Sequence, residues 1–561
     1  MSISVNARAW MAAGLVLVMA QASISFAQNS KDPIPPKAPA YFPSVANQYV
    51  VRLNHEVPAL RTSKAFSGIE DRLGASIKEV LRPDLVLIER RNKETRTSAL
   101  VSLRKNREVA YADPNYIFQA LKAPNDVDYS KLWGMSNVGA MVSTKRGLKG
   151  VDISAERAWE RTTGSKNVIV AVIDTGIDFT IPDLAPNAWT NEKELRGVAG
   201  VDDDGNGYVD DIHGYDFVNN DGDPTDDQGH GSHCAGTIGA RGDDGLGVAG
   251  VNWNVSLMAV KFLNANGGGS LANAIKAIDY ASKNGAKILS NSWGGGPFVQ
   301  TLIDAIERTN QADQLFVAAA GNDGRNNDES PSYPASYDVD NIISVAAVDA
   351  RGDLAGFSNY GVKQVDLAAP GVGIYSTVPG GFDTMNGTSM ATPHVSGVAA
   401  LLLAENPNLT AAELKSKLLS SVRPLRTLQG QVATGGMLDA YLALSGDVAP
   451  QDPNDASTWM EKSAFTISTP HPYVDATEQV FTIQIPGAKR ISAHFPKFET
   501  ENGYDLVQFL NAAGENLGTW SGEKNDRFSP IADGDTLVLK FQSDASVNAY
   551  GFDIDSVSIE R

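Results

Sequence analysis

Residues 167–176, NVIVAVIDTG, set six apolar side chains in an unbroken row and end on Asp174, Thr175 and Gly176. A strand with one wet face alternates apolar and polar residues, because successive side chains point to opposite sides. A continuous apolar run of this length reads instead as a strand covered on both faces. The same grammar returns in VSLMAVKFL (255–263), AKILSNSWG (286–294), QLFVAAAGN (314–322) and IISVAAVD (342–349). Stretches of helical spacing, such as SLANAIKAIDYASKNG (270–285), lie between the runs. Strand, Gly-rich loop and helix in alternation predict an α/β domain with a doubly wound parallel sheet, in which chemistry collects at the C-terminal ends of the strands.

The texture changes on either side. QYVVRL (48–53), DLVLIER (84–90) and REVAYADPNYIF (107–118) read as strands, and ALRTSKAFSGIEDRLGA (59–75) as a helix, giving a small α+β unit. From residue 464 to 561 the chain alternates with period two in FTIQI, ISAHF, DLVQFL, TLVLKF and YGFDIDSVSI, which predicts an all-β sandwich. The expected organisation is an N-terminal signal peptide at 1–27, a Pro-rich spacer at 28–46, the α+β unit at 47–121, the α/β domain at 122–445, a linker at 446–463 and the β domain at 464–561. The signal reading rests on Arg8, the apolar run AWMAAGLVLVMA after it, and small Ser25 and Ala27 before a cleavage point. No other stretch reaches about 20 apolar residues, so no integral membrane span is expected after cleavage. The chain is expected to be secreted.

A net charge of −19 on 561 residues argues against nucleic acid as a partner, since phosphate binding needs a basic face. It suits calcium and solubility outside the cell. With Cys234 as the single cysteine, no disulfide forms within the chain.

Three polar residues stand out in the α/β segment. Asp174 ends its apolar run, His230 lies in DDQGHGSHCAGTIGA, and Ser389 opens the helical stretch NGTSMATPHVSGVAALLL (386–403). Singly, each has an ordinary structural reading: a turn residue, a buried histidine, a helix cap. Together they are what acyl transfer to a serine needs. A histidine takes the hydroxyl proton, and an aspartate holds the imidazole in one tautomer and stabilises its cation. Asn322, at the end of another strand run, offers an amide to a developing oxyanion, with the Ser389 backbone N–H as a second donor. Pro393 is read as a first-turn residue, where a missing N–H costs nothing.

AVIDTGID, GHGSHCAGTI and NGTSMATPHVSG resemble the three signature motifs of the subtilisin-like serine proteases, in the family's order Asp, His, Asn, Ser, over residues 125–445. The resemblance implies that Gly267, Gly268, Gly269 and Ser270, with Ser292, Trp293 and Gly294, pair with an extended peptide as added strands. It also implies that Ser292, Trp293, Gly294 and the segment including Ala320 and Gly321 wall the primary pocket. A zinc site at His230, His233 and Cys234 is rejected, because a zinc-protease helix needs histidines four apart with a glutamate between.

Residues 201–231 are rich in acid. Asp202, Asp204 and Asn206 alternate before Gly207 as in the first half of an EF-hand loop, with the Tyr208 carbonyl next and Asp210 or Asp211 to close the site around Ca2+. Asp221, Asp223, Asp226 and Asp227 form a second, weaker candidate. The segment 47–118 resembles the family's inhibitory propeptide, which implies that the chain is its own intramolecular inhibitor until cut between Gln119 and Asn125. Residues 464–561 resemble bacterial CUB-like domains, and Glu501, Asp505 and Asp544 match acidic positions that bind calcium there. That domain is expected to bind protein or glycan. The reading as a whole is a monomeric, calcium-stabilised serine endopeptidase acting on proteins or peptides. An adhesin built on an inactive protease scaffold is the rival from another class. An esterase of the α/β-hydrolase type is disfavoured, because the nucleophile stretch is Gly-Thr-Ser-Met-Ala rather than G-x-S-x-G.

Overall fold

A computed structural model describes residues 44–58, 64–92, 95–116, 123–447, 449 and 455–561. The expected signal peptide lies outside the described residues, as do most of the Pro-rich spacer and residues 119–122 of the expected cleavage stretch.

The α/β domain is built on a nine-stranded sheet. Across it run Arg423–Pro424, Gly436–Met437, Leu367–Pro370, Ile342–Val348, Leu315–Ala319, Ile288–Asn291, Gly164–Asp174, Asn254–Lys261 and Gly214–Asp216. Every neighbouring pair is parallel except the first, where the short edge strand Arg423–Pro424 runs antiparallel. The unbroken apolar runs are explained by two cores, one on each face. Val168, Val170 and Val172 point into the core beneath the helices His230–Gly239 and Thr388–Glu405. Ala171 and Ile173 point into the core beneath Leu271–Lys283 and Gln300–Gln311. All seven residues of Ile342–Val348 are buried. Each buried valine or isoleucine among them contributes on the order of 1.5–3 kcal/mol. This is the doubly wound arrangement expected from the sequence.

The segment 44–116 forms a four-stranded antiparallel sheet, order Ala75–Arg82, Leu85–Arg90, Ser44–Leu53, Val109–Tyr116, with two helices, Lys64–Leu73 and Arg96–Lys105, and a core of its own. At the other end, two antiparallel sheets face one another around an aromatic core that includes Phe495, Phe498, Phe509, Phe541 and Phe552. The first strand of this β domain is Glu461–Ser468, so it starts inside the stretch 446–463 expected as linker. Its alternating exposed and half-buried residues pair with the strand Gly551–Glu560. Among the described residues no helix is long and apolar enough to cross a membrane.

Candidate active site

Asp174 is the last residue of the strand Gly164–Asp174, and His230 is the first of its helix. His230 Nδ1 and Asp174 Oδ1 are 2.7 Å apart. The Thr175 N–H also donates to that oxygen at 2.7 Å, while the buried Oδ2 has no hydrogen-bond partner among the described residues. Burial works against a charged imidazole here, but the adjacent carboxylate outweighs it, so the His230 pKa is raised. The same carboxylate fixes the tautomer: with Nδ1 donating to Asp174, Nε2 is the nitrogen left to accept a proton.

Other residues hold this pair in place. Thr175 Oγ1 accepts the Gly231 N–H at 2.8 Å and donates to Asp226 Oδ1 at 2.8 Å. Asp226 also accepts the N–H groups of Gly229 at 2.9 Å and Ser232 at 2.8 Å. Asp226, weighed above as a calcium ligand, is thus committed to the start of the histidine helix, where an anion is favoured. Its neighbour Asp227 takes the Lys261 ammonium at 2.7 Å. Lys261 is buried, and its other bonds go to the carbonyls of Thr175 at 2.7 Å and Leu263 at 2.9 Å. The second calcium candidate therefore loses two of its four acids to structural tasks.

Ser389 is the second residue of the helix Thr388–Glu405. Its hydroxyl donates to the Ser292 carbonyl at 3.0 Å, and among the described residues it makes no hydrogen bond to His230. Pro393 lies in the second turn of the helix, not the first as expected. Its missing N–H therefore does have a consequence, since it leaves the Ser389 carbonyl without the helical donor four residues on. Ser292 Oγ replaces that donor at 2.8 Å, with Cys234 Sγ at 3.4 Å.

Asn322 Oδ1 accepts both the N–H and the hydroxyl of Thr388, each at 2.9 Å. With the oxygen so occupied, the amide cannot flip, and Nδ2 is presented as a donor on an exposed residue. A Cβ placed on Gly387 would sit 3.5 Å from the Ser389 nitrogen and 3.7 Å from Asn322 Nδ2, so the two donors border one small space. Thr388 has no spacing signal that marks it, and sequence reasoning missed it.

The strips expected to take a peptide are exposed at Gly267, Gly268 and Gly269 and at Gly294. Gly269 passes so close to Phe262 that a Cβ would come within 2.6 Å of its carbonyl. Ser270 caps the next helix, accepting the Asn273 N–H at 3.2 Å. Trp293 packs edge-on against Phe262, ring centres 4.9 Å apart, and so ties the two strips together. Ala320 is fully buried, and Gly321 donates its N–H to Thr388 Oγ1 at 3.2 Å.

One oxygen each of Glu194, Asp204 and Asp211 lies within 4.8 Å of the others, and Glu501, Asp505 and Asp544 make a second such group. Glu194 was not anticipated; it belongs to the short helix Glu192–Leu195, outside the acidic loop. Asp211, not Asp210, joins the first group. Asp210 instead accepts the Gly200 N–H at 2.8 Å, and Asp202 is taken by the N–H groups of Gly205 at 2.7 Å and Gly207 at 2.8 Å. The Asn206 amide donates to Asp211 at 3.0 Å, and the Tyr208 ring packs against Tyr215, Phe217 and Tyr280. Both groups fit a hard cation: each offers three carboxylates, and Glu501 Oε2 is buried with no hydrogen-bond partner among the described residues. Asp174, His230 and Cys234 also lie close together, but they do not fit a metal. Burial pushes the Cys234 thiol well up, against the thiolate a metal requires. His233 turns away to the Ile374 carbonyl at 2.9 Å.

Residues 165–441 match the family model described as subtilase family, and residues 456–555 match the CUB domain model. A thermophilic serine proteinase of Bacillus sp. (strain AK1) is 40% identical over 309 residues, 55% of this chain and 66% of its own. Subtilisin-like protease 1 of Plasmodium berghei is 35% identical over 309 residues, 52% of each chain. Halolysin of Haloferax mediterranei is 35% identical over 364 residues, 63% of this chain and 61% of its own. The chain thus spans between about half and two thirds of the length of these relatives.

Proposed function

Residues 165–441 belong to the subtilase family and residues 456–555 are a CUB domain, and from that premise we propose that the chain is a secreted serine endopeptidase, made as a self-processing precursor and stabilised by calcium. Ser389 Oγ leaves the Ser292 carbonyl, gives its proton to His230 Nε2 and attacks the scissile carbonyl. Asp174 holds the imidazole and stabilises the cation that forms. Asn322 Nδ2 and the Ser389 N–H donate to the oxyanion, which occupies the space beside Gly387. His230 then gives the proton to the leaving amine, and water, activated by the same ring, hydrolyses the acyl-enzyme.

The observation that carries the reading is the fixed Asn322 amide: both of its oxygen's partners come from Thr388, the residue before the nucleophile. Nothing in a structural role requires Nδ2 to be left free beside a serine at a helix start. The segment 47–121 is proposed as an inhibitory propeptide, with cleavage between Gln119 and Asn125. Calcium is proposed at Glu194, Asp204 and Asp211 and at Glu501, Asp505 and Asp544, as a structural ion that supplies charge neutralisation. Substrates are proposed to be proteins or extended peptides, and the CUB domain to bind protein or glycan.

The test is the intact mass and N-terminal sequence of the purified wild type and of Ser389→Ala, in parallel with hydrolysis of an unstructured protein substrate. Wild type that starts near residue 120 while the variant keeps the 44–116 segment supports both catalysis and self-processing. Retention of the segment in both, with no hydrolysis, overturns the reading.

A further inference from the structure

A cavity of about 390 Å3 opens where the α/β domain meets the C-terminal β domain. Lys145, Arg351 and Arg426 line it from one side, and Lys524 and Arg527 from the other. Five cations against one acid, Asp353, around a single cavity run against the grain of a chain with a net charge of −19.

Three of the five are accounted for. Lys145 pairs with Asp349 at 3.0 Å, and Arg426 with Asp455 at 3.4 Å. Arg351 is buried and donates to the carbonyls of Arg146 at 3.2 Å and Ile531 at 3.3 Å. Lys524 and Arg527 have no such answer: among the described residues neither side chain forms an ion pair or hydrogen bond. The acids next to them in sequence are engaged elsewhere. Asp526 faces His494 Nε2 at 3.0 Å, and Glu523 accepts the Asn525 amide at 2.7 Å. Burial and the neighbouring Arg527 hold the Lys524 ammonium below the usual lysine range. Two like charges kept together at a stability cost, facing a concave space of small-ligand size, mark a place where an anion belongs. Trp520 adds an apolar surface to the wall, and Phe528 a ring over which the Arg426 guanidinium stands 5.1 Å from the centre.

We propose that this junction binds an oxyanion, a sulfate, phosphate or carboxylate group, between Lys524 and Arg527 of the β domain and Arg351 and Arg426 of the α/β domain. Charge-assisted hydrogen bonds from guanidinium and ammonium groups are the strong ones for such a ligand. The oxyanion comes either free in solution or carried on a saccharide, whose body would lie against Trp520 and Phe528. Because both domains contribute, the bound anion locks one onto the other.

The experiment uses the full chain and the double variant Lys524→Gln/Arg527→Gln. Binding of inorganic sulfate and of a sulfated disaccharide is measured by calorimetry, against a sodium chloride background of matched ionic strength. Wild type should bind sulfate saturably, and the double variant at least tenfold more weakly, with peptide hydrolysis unchanged. Thermal unfolding in chloride checks folding: the variant should be no less stable, since the change removes like-charge repulsion. The swap Lys524→Arg/Arg527→Lys should retain binding. A disaccharide at least tenfold tighter than sulfate assigns a saccharide-borne group, and equal affinities assign a free anion. Absence of saturable binding to wild type, or equal binding by the double variant, overturns the proposal.

Discussion

The Ser389 carbonyl, which Pro393 leaves without a helical N–H, is taken by the Ser292 hydroxyl at 2.8 Å, while the Ser292 carbonyl accepts from Ser389 Oγ at 3.0 Å. The two residues clasp each other in both directions. Ser292 thus sits under the nucleophile and positions it. Ser292→Ala removes one hydrogen bond worth about 1 kcal/mol. A loss of up to about tenfold in kcat with little change in KM is expected. Adding Pro393→Ala restores a donor from within the helix and should recover part of the loss; a double variant no better than Ser292→Ala would sink the account.

Asn322→Leu keeps the bulk of the side chain and deletes the donor. Removing one oxyanion donor costs about 10²–10³ in kcat. Thr388→Val keeps the shape of the neighbour and removes one of the two donors to Asn322 Oδ1 while the backbone N–H stays, so the amide is held less firmly and a smaller loss, about tenfold, is expected. Steady-state kinetics on a peptide substrate separate the two. Equal kcat in wild type and Asn322→Leu would remove Asn322 from the mechanism.

His233 and His394 are buried, and burial holds both down to about 4. In the unfolded chain an imidazole titrates near 6.5. Between these values the unfolded state takes up protons that the folded state refuses. The stability these residues contribute is therefore full above about pH 6.5 and falls away as pH drops toward 4, by about 3 kcal/mol for each. Urea unfolding of Ser389→Ala from pH 7.5 to 4.5 should show this slope, and His394→Asn should flatten it. An unchanged slope in that variant assigns the acid sensitivity elsewhere.

Calcium should raise the melting temperature of Ser389→Ala, and chelation should lower it. At a hundredfold excess over Kd one site contributes about 2.7 kcal/mol. Glu194→Gln should weaken the response, because Glu194 is part of the first carboxylate group. Asp210→Asn should not, since Asp210 lies outside that group. The opposite ranking would favour the EF-hand arrangement read from the loop.

Cys234 is buried with its sulfur 3.4 Å from the Ser389 carbonyl. A mercurial that reaches it must displace that carbonyl and should abolish activity, slowly and in step with labelling. Cys234→Ala should be active and resistant. Full activity of wild type after mass spectrometry confirms labelling would refute the link.

Much of the site is legible before any folding is considered. Asp174 stands at the end of an apolar run, and a strand end is where a parallel sheet exposes function. His230 and Ser389 each open a helix. These features are local, and patterns of two to four residues carry them. Glu194, Thr388 and the true position of Pro393 were not legible in the same way. Glu194 joins a loop ten residues away through its carboxylate, which accepts the N–H groups of Asp203 at 2.7 Å and Asp204 at 3.0 Å. Thr388 matters only because Asn322 lies beside it in space.

The sequence by itself determined the parallel sheet, the two flanking units and the identity of four residues at the ends of strands and helices, because apolar periodicity and turn chemistry act over short spans of chain. Only the tertiary structure decided that the Asn322 side-chain oxygen is held by Thr388, which acids of the 201–231 loop gather and which cap a helix. It alone decided that five cations meet at a domain junction. Those outcomes depend on hydrogen bonds and charges between segments that lie far apart in the chain, and spacing along the chain carries no record of them until the backbone has folded.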